Sequence, residues 1–235
     1  MPDYHFVCWD MHKFDIHSVK YVEQACEMRK WAFAADYIRL YALYHHGGIY
    51  LDSDVVVFKR FDDFLSNKAF ASVESYFYRK GDRSDFLIDA AMIASEAGNP
   101  FIKECLGHYE DIPFIKADGQ MDQTVICNVL SDVAESKFGF VPGSFSPSPI
   151  HLAGDVLTLY PPHVFTHLKG AINGDSVAMH LYEGSWRDKQ EVRSRVIKSV
   201  DDAMEKVLGL RRWSLMRWAV RRRYLKFRDG SRSAL

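Results

Sequence analysis

The sequence has few cysteines and no long hydrophobic run. Only four of its 235 residues are cysteines, and they stand far apart without a C-x-x-C pair: Cys8, Cys26, Cys105 and Cys127. This spacing predicts neither a zinc site nor a disulfide framework, and it favours a reducing compartment. No apolar run reaches the roughly 18–20 residues of a membrane span, and the N-terminus lacks the pattern of a secretory signal peptide. We therefore expect a cytoplasmic location.

Net charge is also nearly absent, at −1, but this balance conceals a basic C-terminus. Residues 209–235 carry nine arginines or lysines against one aspartate, whereas residues 1–208 are net acidic. A helix here would align aromatic side chains on one stripe flanked by arginines. Two interpretations stay open: a last helix packed on its own domain, or a basic amphipathic helix in peripheral contact with the inner face of a membrane. No nucleic-acid recognition motif is present, so nucleic acid is not an expected partner.

Hydrophobic residues make up 48% of the chain, enough for one large core, so residues 1–208 are interpreted as one domain followed by the segment 209–235. Strand and helix patterns alternate, which predicts an α/β domain with a mixed, mostly parallel sheet flanked by helices. Predicted strands cover residues 4–9, 49–58, 69–74, 86–95, 156–161 and 177–182. Predicted helices cover residues 18–46, as one or two helices, and residues 99–111, 122–138 and 188–209, while residues 141–155 are predicted as a loop.

Two aspartates interrupt one predicted strand, in the stretch "GGIYLDSDVVVF". Asp52 and Asp54 are two residues apart, so on an extended chain they project to the same side and can approach one ion. Two oxygen ligands, completed by water and the phosphates of a nucleoside diphosphate, suit Mg²⁺ or Mn²⁺. The pair Gly47-Gly48 permits a turn that brings the aspartates to the end of a strand, where open α/β sheets bind ligands. The alternative is a turn that caps the strand and binds nothing.

The predicted helix before this strand carries a second charged pair. Asp36 and Arg39 are three residues apart and share one face of an otherwise apolar helix. One interpretation is an intrahelical ion pair, which typically contributes only tenths of a kcal/mol. The other is that the pair faces the site, where Asp36 accepts hydrogen bonds from hydroxyl groups and Arg39 contacts a phosphate or orients a carboxylate.

These residues resemble the signature of glycosyltransferase family 32. The stretch "FAADYIRLYALYHHGGIYLDSDVVVF" is similar to the family's helix "A-x-D-x-x-R-x-x-x-L" followed by "G-G-I-Y-x-D-x-D". Four further segments extend the resemblance over residues 2–187: "PDYHFVCWD", "FDDFL", "GNPFIKECLGHY" and "HLYEGSW". The family comprises DXD-type sugar transferases of capsular polysaccharide and mannan synthesis, related to the glucosylating domains of large clostridial toxins. The resemblance implies a GT-A-like fold.

On the donor side, the resemblance implies roles for several matching residues. Asp36 and Arg39 would hold the donor sugar as part of the catalytic site. Asp52 would contact the sugar or ribose, and Tyr50 would lie near the nucleoside. Asp89, which lies inside a predicted buried strand, would either reach the sugar or acceptor or have only a structural role.

On the metal side, the resemblance implies that Asp54 binds Mn²⁺ or Mg²⁺ together with Asp52. Three residues near the end of the resemblance would close over the metal and the diphosphate: His180, Ser185 and Trp186. His180 would act there as a neutral metal ligand or as a contact to the diphosphate. Without the resemblance, a histidine on an apolar strand is more often part of the core.

The implied activity is that of a metal-dependent, retaining hexosyltransferase. It would move a sugar from a nucleotide-diphosphate donor to a hydroxyl of a glycan or lipid-linked glycan acceptor, in surface or capsular polysaccharide synthesis. Family members begin with a further strand and loop, "I-P-K-I-I-H-Q-x-W", so we expect the N-terminal strand to be missing from this fold. Two alternatives stay open. The stretch "IYLDSDVVV" also fits the haloacid-dehalogenase phosphatases, and a truncated transferase would act as a non-catalytic glycan-binding subunit.

Overall fold

A computed structural model describes residues 3–10, 12–80, 83–110, 112–142, 146–165 and 172–181, without the side chains of residues 75–80 and 83–86. These ranges contain the helices α1 (Lys20–Glu27), α2 (Trp31–His46), α3 (Pro100–Glu110) and α4 (Ile126–Phe138). They also contain the strands β1 (Gly48–Leu51), β2 (Val55–Val57), β3 (Ala69–Lys80), β4 (Arg83–Ser95), β5 (Ile150–Leu152), β6 (Leu157–Tyr160) and β7 (Ala178–His180). A short 3-10 helix covers Asp62–Phe64.

The strands form two sheets. Five strands pair in the order β1-β4-β3-β6-β5, while β2 and β7 form a separate two-stranded sheet. The predicted fold class is confirmed, because a mixed sheet flanked by helices is compatible with a GT-A-like fold. The balance of pairings differs from expectation: among the strands described, β3 and β6 pair in parallel and every other neighbouring pair is antiparallel.

Three local predictions are wrong. Residues 150–152, inside the predicted loop 141–155, form β5 and pair with β6. Residues 4–9 form turn and irregular backbone rather than a strand. The predicted strand 49–58 is divided between β1, at the edge of the large sheet, and β2, in the small one. An apolar run on both sides of the aspartates predicted one strand, but each half pairs with a different partner. The predicted helix 188–209 and the basic segment 209–235 lie outside the described residues.

Two apolar clusters hold the site in place. The larger one packs the helices against the five-stranded sheet and includes Tyr21, Leu40 and Ile93. The smaller one lies where the two sheets meet, and Phe70 and Phe165 stack there with ring centroids 5.5 Å apart. Burial of a side chain of this size stabilises the fold by about 1.5–3 kcal/mol. The small sheet is therefore fixed against the large one, and with it the turn that joins β1 to β2.

Gly47 orients the entry into β1. Its φ of 67° and ψ of −169° lie in a region open almost only to glycine. A Cβ at this position would stand 2.9 Å from the Ala97 backbone nitrogen and 3.0 Å from the Ser95 carbonyl oxygen. The close approach to the end of β4 allows α2 to pass directly into β1 and the aspartates that follow.

We expect Gly47→Ala to lower the free energy of unfolding by about 1–3 kcal/mol, since it combines backbone strain with a steric clash. Gly139 is a suitable control because it ends α4 in the left-handed region with φ of 78° and open space around the added Cβ. Chemical denaturation should show the smaller loss for Gly139→Ala. Equal losses at both positions would contradict the importance of the close approach.

Candidate functional site

Two aspartates and a histidine meet where the sheets join. Asp52 and Asp54 occupy the turn between β1 and β2, so the pair lies in a connection rather than within one strand. His180 ends β7 opposite Val55 of β2, because these strands pair in antiparallel register. The Leu181 backbone N–H donates to the Asp54 carbonyl oxygen at 2.9 Å, which ties the end of β7 to the turn.

The side-chain geometry brings these three residues to one point. His180 Nε2 lies 3.2 Å from Asp54 Oδ1 and 4.0 Å from Asp52 Oδ2. One potential ligand atom from each residue lies within 4.8 Å of the other two. Two carboxylates and an imidazole are a donor set for a divalent ion that accepts both oxygen and nitrogen. The predicted metal residues are thus brought together.

The protonation of His180 reflects its surroundings. Burial opposes the charged imidazolium, but the hydrogen bond with Asp54 and the nearby carboxylates outweigh it and raise the pKa of His180 above its ordinary value. The carboxylates therefore create a negative region that attracts a proton or a metal ion to the same place.

Arg39 links the helix α2 to this turn. One guanidinium nitrogen, Nη2, donates to Asp36 Oδ1 at 2.8 Å. The other, Nη1, donates to Asp52 Oδ1 at 3.1 Å and to the Ala90 carbonyl oxygen at 2.9 Å. Asp36 and Arg39 do form the intrahelical ion pair of the first interpretation, and Arg39 also contacts Asp52 at the site, as the second interpretation expects of a pair that faces the site.

The Asp36–Arg39 pair is buried, with Asp36 6% and Arg39 7% exposed. Burial raises the pKa of Asp36 to about 7, while the neighbouring Arg39 opposes that rise. Burial disfavours the charge of the Arg39 guanidinium, but Tyr50 and the carboxylates of Asp36 and Asp52 outweigh it and raise the pKa of Arg39, so the guanidinium stays charged. Such a pair holds its geometry firmly, since either partner left alone would be a buried charge.

Asp52 uses its two oxygens differently. Oδ1 accepts hydrogen bonds from Arg39 and from the Tyr50 hydroxyl, the latter at 2.6 Å. Oδ2 is the oxygen nearest His180. The Arg39 guanidinium also lies 4.5 Å from the centroid of the Tyr50 ring, a cation–π contact. Arg39 and Tyr50 thus fix the carboxylate so that its second oxygen is presented to the metal-ligand group.

A second polar cluster adjoins the site and was not predicted from the sequence. Ligand atoms of Glu74, Asp89 and Cys127 lie within 4.8 Å of one another. The Cys127 thiol donates to Glu74 Oε1 at 3.3 Å. Burial and the charges of the two carboxylates raise the pKa of Cys127 well above its ordinary value, so the thiol remains a donor. Glu74 and Cys127 lie on β3 and α4, and no local motif signals that they meet.

Asp89 occupies an irregular part of β4. The register with β3 shifts between the pairs Ala71–Ile93 and Val73–Ile88, which marks a bulge. Asp89 is 2% exposed, and its Oδ1 accepts the Ala91 backbone N–H at 2.8 Å. The bulge also presents the Ala90 carbonyl to Arg39. Asp89 therefore lies beside the predicted site, while its contact with a sugar or acceptor stays a prediction.

Most of the predicted site residues converge at the turn between β1 and β2, and two lie outside the described residues. The five that meet around the turn are Asp36, Arg39, Tyr50, Asp52 and Asp54, joined by His180 from β7. Ser185 and Trp186 lie outside the described residues. Tyr50 contacts Asp52 and Arg39, and its predicted position near a nucleoside stays a prediction.

The mixed α/β fold presents two aspartates and a histidine between its sheets, and a buried Asp–Arg pair lies beside them. This arrangement is typical of a DXD-type glycosyltransferase. Comparison with known families supports this class. Residues 1–71 match the family described as "Glycosyltransferase sugar-binding region containing DXD motif". A comparison with curated proteins gave no match. Among the described residues, no helix is long and apolar enough to cross a membrane.

Proposed function

We propose that the protein is a metal-dependent, retaining hexosyltransferase of glycosyltransferase family 32. It takes a sugar from a nucleotide-diphosphate donor and transfers it to a hydroxyl of a glycan or lipid-linked glycan, in surface or capsular polysaccharide synthesis. The observation that carries this proposal is the meeting of Asp52, Asp54 and His180 beside the Arg39 network. The matched family region contains the same aspartates and arginine.

Three residues would hold the metal: Asp52 through Oδ2, Asp54 and His180. When bound, Mn²⁺ or Mg²⁺ supplies positive charge that stabilises the departing diphosphate. The chain prepares this site before any ligand arrives, because Arg39 and Tyr50 already hold the Asp52 carboxylate by Oδ1. Preorganised ligands avoid the cost of ordering flexible side chains on binding.

The Asp36–Arg39 pair would position the donor sugar. Arg39 shares its guanidinium between Asp36, Asp52 and the Ala90 carbonyl, so its position is fixed by two carboxylates and the bulge of β4. A fixed guanidinium beside the metal residues can orient sugar hydroxyls for attack at the anomeric carbon. Burial of the pair keeps water away from this side of the site.

Nucleotide binding provides the direct test. With Mn²⁺ present, we expect one of UDP, GDP and CDP to raise the melting temperature, whereas the same nucleotide with EDTA should not. A ligand at a hundred times its dissociation constant stabilises the folded state by about 2.7 kcal/mol. The bound nucleotide then defines the sugar donors for a hydrolysis and transfer assay.

Three outcomes separate the proposal from its alternatives. Metal-dependent nucleotide binding with turnover of a nucleotide sugar supports the transferase. Hydrolysis of an aryl phosphate with Mg²⁺, without any nucleotide-sugar turnover, would indicate the phosphatase alternative. Binding of a glycan without nucleotide would indicate the non-catalytic subunit.

The division into a catalytic domain of residues 1–208 and a basic segment of residues 209–235 also stays a prediction. We propose that this segment makes a peripheral contact with an anionic membrane at its cytoplasmic face, where a lipid-linked acceptor would be found. Nine basic residues against one acidic residue support an electrostatic attraction to such a surface. Co-sedimentation with anionic and with neutral vesicles distinguishes this contact from docking on the domain.

A further inference from the structure

A groove of about 720 Å³ lies apart from the metal residues, at the other end of the small sheet. Lys59 and Val177 belong to its lining. The Val177 carbonyl oxygen accepts the Phe58 and Lys59 backbone N–H groups, which continues the pairing of β2 with β7. Val177 precedes His180 by three positions, or about 10 Å of extended chain. One two-stranded sheet therefore connects the groove with the candidate reaction site.

The chemistry of the groove indicates what it can bind. The apolar part of its lining includes two aromatic rings and three prolines: Phe64, Tyr160, Pro147, Pro149 and Pro161. Flat apolar surfaces of this kind pack against the C–H faces of sugar rings. Its polar rim has three aspartates, one lysine, one arginine and His163, so carboxylate acceptors outnumber the permanently charged cations.

The lysine and the arginine of the rim already have partners. Arg60 pairs with Asp3 at 2.8 Å and also with Asp62, while Lys59 donates to the Gly174 carbonyl oxygen. An anionic phosphate would have to compete with these carboxylates for Arg60 and with the Gly174 carbonyl for Lys59. Asp63 and Asp175 are exposed on the rim and can accept hydrogen bonds from hydroxyl groups. The groove thus suits a neutral polyhydroxylated ligand better than a nucleotide.

We propose that this groove binds the non-reacting part of the acceptor, as a neutral oligosaccharide of several residues. A polymeric acceptor extends beyond the hydroxyl that reacts, and the groove lies about 10 Å from the metal residues along β7. Its volume lies within the range typical of ligand pockets. The inference rests on the proposed transferase function, because it assigns the acceptor of that reaction.

Saturation-transfer NMR on the full chain tests the proposal with four linear hexasaccharides: maltohexaose, cellohexaose, mannohexaose and chitohexaose. We expect at least one to bind, and we expect Asp63→Ala/Asp175→Ala to raise its dissociation constant at least about fivefold through lost hydrogen bonds. Glu96→Ala/Glu135→Ala is the matched control, since both glutamates are exposed and lie outside the groove lining. This control should bind as tightly as the wild type.

Failure of all four hexasaccharides to bind would overturn the proposal, as would equal affinity in the groove variant and the control. Nucleotide binding with Mn²⁺, measured on the same samples, distinguishes failure of the acceptor-groove proposal from failure of the transferase proposal. Nucleotide binding without a groove effect defeats the acceptor site alone. Hexasaccharide binding in the groove without nucleotide binding supports the groove as a glycan site and defeats the transferase proposal.

Discussion

Replacement of Arg39 by methionine is expected to lower the free energy of unfolding by about 3–5 kcal/mol at pH 8, the usual effect of removing one partner of a buried ion pair. Methionine retains much of the apolar stem but provides no donor. Asp36 and Asp52 would lose their shared cation, and the Ala90 carbonyl would lose its donor. Urea denaturation measures the loss directly.

Arg60 provides a matched control for this prediction. It also pairs with two carboxylates, those of Asp3 and Asp62, but its side chain is 46% exposed. Exposed ion pairs contribute about 0–1 kcal/mol, so Arg60→Met should have a small effect. A loss as small for Arg39→Met would show that burial does not make the Asp36–Arg39 pair important for stability.

The loss in the free energy of unfolding caused by Arg39→Met should depend on pH. The pKa of Asp36 is raised to about 7 in the folded protein, so below that value the carboxyl is protonated with or without the arginine. Above it, the wild type buries an ion pair, whereas the variant must either bury a lone charge or keep the proton. A folded state that holds a proton lost by the unfolded state becomes less stable as pH rises.

The difference in the free energy of unfolding between wild type and Arg39→Met should therefore stay nearly constant between pH 5 and 6 and widen as pH increases through 7 to 9. Asp36→Asn in the Arg39→Met background should recover part of the stability at pH 9, because the amide removes the charge. If the difference in the free energy of unfolding does not change with pH, or if the double variant recovers no stability, a lone buried charge is not the cause of the destabilisation.

Asp54→Asn should weaken Mn²⁺-dependent nucleotide binding at least about 100-fold, since even the outer partners of metal ligands typically contribute 10–100-fold. The asparagine retains the shape of the side chain and the backbone carbonyl that accepts the Leu181 N–H. Folding should therefore change little, and loss of binding would report on the carboxylate. Isothermal titration with nucleotide, with and without Mn²⁺, measures the effect.

Asp155→Asn is the control for this substitution. Asp155 Oδ1 also pairs with a histidine, His151 Nδ1, at 2.9 Å, but both side chains are more than half exposed and the pair lies outside the metal-ligand group. It should leave nucleotide binding unchanged. If Asp54→Asn bound nucleotide with the same metal dependence as Asp155→Asn, Asp54 would not be a metal ligand.

Much of the site could be predicted from local sequence patterns. The apolar face of α2 places Asp36 and Arg39 one turn apart, and the Gly47-Gly48 pair predicts the turn into a strand that ends at the aspartates. These features depend on the period of a helix and the conformational freedom of glycine, which neighbouring residues fix by themselves. The helices α2, α3 and α4 and the strands β3, β4, β6 and β7 followed from the same periodic patterns.

Other features depended on which distant segments pack together. The run from Ile49 to Phe58 looks like one strand, and its division between two sheets follows from the pairing of β2 with β7. The bulge at Asp89 and the contact between Glu74 and Cys127 likewise depend on how β3, β4 and α4 pack. Strand pairing is a competition among long-range partners, and hydrophobic pattern alone does not decide it.

The sequence by itself therefore determined the helix face, the turn and the spacing of the aspartates, because these are local properties of the backbone. Only the tertiary structure decided that the histidine of β7 stands beside Asp54, that Arg39 is shared between two carboxylates, and that a groove lies at the other end of the small sheet. Each of these depends on a contact between segments far apart in the chain, held by the apolar cluster between the two sheets.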